Sequence, residues 1–150
     1  MVTPCPQDYQ SVTHIMTSSS SLITVSTITN DGQGASYFSA REIELNGDIT
    51  RQLSDQIGAV NFRLRRSVGY SADYHVAGDP TLLIVLSGTM RIELPSGEYR
   101  DFSVGEMYIA EDYLAPNTEF KSGRHGHRAQ TIGSAPYNAL HLKLARRETG

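Results

Sequence analysis

A chain of 150 residues has room for one domain with a sizeable core, since such a length buries roughly 70% of its unfolded surface. Sixteen acidic against 13 basic side chains leave a net charge of -3, so neither nucleic acid nor an anionic membrane is an expected partner. The single cysteine, Cys5, excludes an internal disulfide and a cysteine-rich metal site, and it fits a reducing, cytoplasmic location. No targeting segment is visible, and no apolar run approaches the ~20 residues of a membrane span.

Residues 1–20 are poor in core-forming side chains and run into a serine tract, which predicts a flexible N-terminal arm ahead of one domain over 21–150. Residues 22–29 (LITVSTIT) have strand composition, and the turn at 30–34 is followed by an extended stretch over 35–45. A turn at 46–48 then precedes 50–57, the one plausible helical turn. Residues 59–64 alternate, with Val60, Phe62 and Leu64 against Asn61, Arg63 and Arg65, as in a strand with one apolar face. Arg63, Arg65 and Arg66 form the only basic cluster, which reads as a solvated strand edge rather than an anion site.

A loop at 69–72 delivers Asp73, Tyr74 and His75 to the mouth of the apolar run 82–86, a strand expected to be buried on both faces. Strands at 90–94, 99–102 and 107–110 follow, separated by turns at Gly88, Gly97 and Gly105. An irregular loop over 113–126 leads into His125-Gly126-His127. The last strand, 137–144, sets Leu140, Leu142 and Leu144 on one face and Ala139, His141 and Lys143 on the other. Short strands punctuated by glycine turns predict an all-β antiparallel sandwich or barrel, with edges that a homodimer would cover.

The order of His75, an apolar strand closing at Gly88, a hairpin at Gly97, a turn at Gly105 and a late histidine resembles the cupin superfamily. That resemblance implies a double-stranded β-helix, or jelly-roll barrel. His75 matches the first histidine of the family's first motif, between the glycine matches Gly69 and Gly88. Ala77 stands at the second histidine position and Thr81 at the glutamate position. In the second motif Gly105 matches the opening glycine, and His127, or alternatively His125, the late histidine. Glu111-Asp112 followed by Gly126-His127 further resembles a branch of small single-domain cupins found in fungal natural-product biosynthesis.

Enzymatic cupins hold a divalent metal through three histidines and a glutamate, and here two of those positions carry no useful ligand. The expectation is therefore an enzyme without a cofactor, an isomerase, cyclase or lyase of secondary metabolism acting on a small hydrophobic intermediate. Acid-base chemistry would be carried by His75 and His127, with Asp73, Glu111 and Asp112 as orienting carboxylates and Tyr74 as a phenol donor. Phe62, Leu83, Val85, Tyr108, Tyr113 and His125 are the candidate substrate contacts, while His141 reads as structural. The alternatives are a metal-dependent dioxygenase or isomerase, with one divalent ion on His75 and His127, and a binding cupin without chemistry.

Overall fold

The computed structural model describes residues 18–146. Ten strands follow in order: β1 Ser18–Thr29, β2 Tyr37–Asp48, β3 Arg51–Leu53, β4 Ala59–Ser67, β5 Thr81–Ser87, β6 Thr89–Glu93, β7 Tyr99–Phe102, β8 Met107–Ala110, β9 Arg128–Ile132 and β10 Tyr137–Leu144. Seven of them form one sheet in the order β3-β2-β1-β8-β5-β10-β4, and β7-β6-β9 form the second. No helix among the described residues is long and apolar enough to cross a membrane.

The strands leave their expected positions in three places. The serine tract belongs to β1, where Ser20 pairs with Asn46 and Ser21 with Leu45. Residues 1–17 of the expected arm lie outside the described residues. The turn expected at 46–48 falls instead at 49–50, where Asp48 Oδ1 accepts from both the amide and the hydroxyl of Thr50. That carboxylate ties the chain back on itself, so the expected helical turn is replaced by β3, paired with the end of β2. Finally, β1 runs parallel to β8, which makes the large sheet mixed rather than antiparallel.

Two apolar layers follow from the pleat. Leu83, Val85, Tyr108, Ala110 and Ala139 face Met90, Ile92, Phe102 and Ala129 of the small sheet, and this shared interior is the main core. Val25, Ile109 and Leu144 form a second cluster on the opposite face, with Leu82, Met107 and Leu142 against it. β5 is therefore buried chiefly through its inner side, while Leu86 remains exposed.

On β4 the alternation has the opposite sense from a core strand. Register pairs Leu64 with Leu140 and Phe62 with Leu142, so the apolar row lies on the outer face, where Val60, Phe62 and Leu64 are about 70% exposed. Arg63 and Arg65, opposite His141 and Ala139, lie on the inner face of the edge strand.

Candidate functional site

Residues 69–77 run from the end of β4 along the free side of β9. The amide of Thr131 donates to Tyr70 O, that of Ala72 to Ala129 O, and His75 and His127 exchange both backbone bonds at 2.9 Å. The two histidines are thus directly opposite, with ring centroids 4.9 Å apart and planes tilted by 51°. Such closeness needs the residue before His127 to lack a side chain. Gly126 has φ +78°, and a Cβ there would sit 2.5 Å from the carbonyl oxygen of His75.

Beneath His127 lies Asp112, fully buried two residues beyond β8. Its Oδ2 accepts from His127 Nδ1 at 2.8 Å and from the Ser36 hydroxyl at 2.7 Å. Its Oδ1 accepts from the Ala77 amide at 2.9 Å, while its backbone carbonyl accepts from Gly78 N. Burial alone pushes this carboxyl up, but the bonds from His127, Ala77 and Ser36 and the nearby imidazole outweigh it. Its pKa lies below the ordinary carboxylate value. An ionised Asp112 requires the His127 proton on Nδ1, which leaves the Nε2 lone pair available in the neutral ring. His75 reaches the same tautomer by another route. Its Nδ1 lies 2.8 Å from the Asp73 carbonyl oxygen, which can only accept, so its Nε2 is also basic. Two imidazoles therefore sit side by side, one buried and anchored on a carboxylate, the other exposed at the rim.

The remaining sequence-derived candidates disperse. The Asp73 carboxylate binds the Tyr74 amide rather than an imidazole. Glu111 pairs with Arg41 at 2.7 Å, away from His127. Tyr74 packs near the Arg128 guanidinium, 5.5 Å from its ring centre. His125 is buried in the loop, where its Nδ1 accepts from the Lys121 amide and its Nε2 meets the Gln33 carbonyl. Both nitrogens are spent on backbone groups, and His127 is the histidine that faces His75. Tyr113 covers Gly32, and its amide donates to Asn30 Oδ1. Phe62 lies on the outer face, whereas Leu83, Val85 and Tyr108 belong to the inner core, Tyr108 stacked on Phe102 at 4.2 Å.

Ser36 and the Ala77 amide are essential to the arrangement and had no signal in the sequence, whereas Gly126 was marked by its place before His127. Ser36 meets Asp112 across 76 residues, and a backbone amide carries no side-chain signature. A four-ligand metal set does not fit these residues. Ala77 packs into the core, Thr81 spends its hydroxyl on the Asp79 carbonyl, and Asp112 is committed to His127. Among the described residues no group of three or more His, Cys, Asp or Glu converges on one point.

No family model matches the chain, and no curated protein matches it significantly. Among solved structures, protein NMB1881 from Neisseria meningitidis aligns with 64% of this chain and 90% of its own, at 17% identity and TM-score 0.40. The polyketide cyclase RemF from Streptomyces resistomycificus aligns with 61% of this chain at 20% identity and TM-score 0.40, and the match spans 59% of that protein.

Proposed function

We propose that this chain is a cupin-type jelly roll that catalyses proton transfer on an apolar, carbonyl-bearing natural-product intermediate, in an isomerisation, cyclisation or dehydration. The observation that carries the reading is the buried Asp112-His127 pair with His75 beside it. In the reaction His127 Nε2 takes a proton from the carbon next to the carbonyl, and the C–H electron pair moves into an enolate. Asp112 holds the ring in the required tautomer and offsets the charge of the imidazolium that forms. His127 gives the proton back to a different atom of the substrate, directly or by passing it to the Nε2 of His75, which then delivers it, so both rings end neutral and the enzyme is unchanged. No step uses a redox cofactor or a metal.

The assembly in this reading is a cytoplasmic homodimer. β4 is an edge strand with Val60, Phe62 and Leu64 exposed on the outer face, and a second copy paired across it covers both the edge and that row. The function is tested by deuterium exchange at the α-carbon of an apolar aryl ketone in heavy water. The wild type should accelerate exchange, with His127→Gln lowering the rate by about 10²–10⁴-fold, the usual worth of one general base. Equal rates for wild type, His127→Gln and His75→Gln would remove the proposal.

A further inference from the structure

A second group of residues on the inner face is unrelated to proton transfer. Register sets Arg63 opposite His141 and Lys143 opposite Thr81, with Arg65 two residues along β4 from Arg63. Together with Leu64 and Arg66 these residues line a cavity of about 580 Å³. Among the described residues none of Arg63, Arg65, Arg66 and Lys143 has a carboxylate partner. Asp79, next to the Thr81 turn, is already taken by Arg146. Arg65 is held in place instead, by its bond to Ser67 Oγ at 2.9 Å and by stacking on Tyr70 at 4.2 Å.

Like charges on adjacent strands repel, so an unneutralised block costs stability unless something offsets it. Although the protein as a whole carries -3, four cations gathered around one concavity make a local field that attracts anions. His141 sits in the middle. Its Nε2 is fully buried without a hydrogen-bond partner. Burial, then the charges of Arg65, Arg63 and Lys143, pull its pKa down to about 4. The ring is therefore neutral at physiological pH and its buried nitrogen still has a bond to make. Thr81, at the border of the cavity, pairs with Ala110, two residues before Asp112, so cavity and dyad occupy neighbouring strands.

We propose that Arg63, Arg65, Lys143 and His141 form a binding site for the oxyanion group of a small molecule, a carboxylate or a phosphate. Two guanidinium groups, one of them pre-oriented by Tyr70, bind such a group through paired N–H donors, and Lys143 adds a point charge. Binding requires no turnover, so the site stands independently of the proton-transfer reading. Arg63 and Arg66 remain exposed on the edge strand, as expected of a solvated edge, and the β4 register sets Arg63 and Arg65 on the face that carries His141.

The full chain is titrated with sodium benzoate, with inorganic phosphate and, at equal ionic strength, with chloride, following the His141 imidazole signals and Tm. The proposal expects saturable binding of benzoate or phosphate, a His141 response that chloride does not reproduce, and a Tm that rises with the bound anion. Whichever probe binds more tightly identifies the group recognised. Arg63→Gln with Lys143→Gln should weaken binding by about tenfold or more while leaving the unliganded Tm unchanged or higher, because repulsion is relieved. Arg63→Gln alone gives the same comparison if the double variant folds poorly. Equal affinity in wild type and Arg63→Gln, or no saturable response to either anion, overturns the assignment.

Discussion

Replacing Asp112 by asparagine tests the buried pair with almost no change of shape. The native carboxylate accepts three hydrogen bonds, from His127, Ser36 and the Ala77 amide, at full burial. An asparagine side chain offers one oxygen. If that oxygen faces His127 and Ser36, its amino group confronts the Ala77 N–H, and one buried donor is left unpaired. If it is flipped, the amino group confronts His127 and forces the proton from Nδ1 to Nε2. Either orientation leaves about 1–3 kcal/mol of unsatisfied polar group at neutral pH, and removal of the whole side chain, in Asp112→Ala, costs about 3–5 kcal/mol.

The pH dependence follows in sign. The folded carboxyl has a lowered pKa, so its contribution is fully present above the ordinary value of 3.8 and is lost as pH falls through the lower folded value. Urea unfolding of wild type and Asp112→Asn should therefore differ at pH 7 and converge in acid. A difference below about 0.5 kcal/mol at pH 7, or one that persists unchanged in strong acid, would refute the account of Asp112 as an ionised anchor.

Other outcomes follow from the same structure. Gly126→Ala should destabilise by about 2–5 kcal/mol in urea unfolding, because a Cβ there meets the His75 carbonyl at a left-handed φ; wild-type stability would contradict the close approach of the two histidines. His141, with a folded pKa of about 4 against an ordinary 6.5, should make stability rise with pH across that window. Screening at this partly exposed site limits the effect to about 2 kcal/mol, and His141→Leu should flatten that part of the profile. The proposed homodimer across β4 predicts that Phe62→Ser with Leu64→Ser lowers the solution mass towards 16.5 kDa by light scattering while the fold persists; a wild type already at that mass, or no change in the variant, would contradict it.

Much of the fold was legible because strand periodicity and glycine turns are local. The run 82–86, the alternation of 137–144 and the turns at Gly88 and Gly105 all became strands and connections near their expected limits. Facing was less legible. The apolar row of 59–64 could point either way, and only its pairing with β10 decides that Phe62 faces outward and Arg63 inward. The helical turn at 50–57 was lost to a hairpin set by one aspartate, a contact that composition does not encode. In the site, His75 and His127 stood out as isolated histidines beside a strand and a glycine. The choice of Asp112 over Glu111 depends on parity beyond β8, where Glu111 turns to Arg41 and Asp112 to the interior. His125 and His127 differ by two residues in sequence, and it is the loop's own backbone that claims His125.

The imidazole nitrogen spectrum of the protein labelled with nitrogen-15 addresses the central claim most directly. In its neutral form the His127 ring is expected to carry its proton on Nδ1, with Nε2 as the bare nitrogen, and Asp112→Asn is expected to shift or mix this tautomer. A wild-type His127 protonated on Nε2 with a bare Nδ1 would contradict it, since the ring would then have no hydrogen to give Asp112 and no lone pair to offer a substrate.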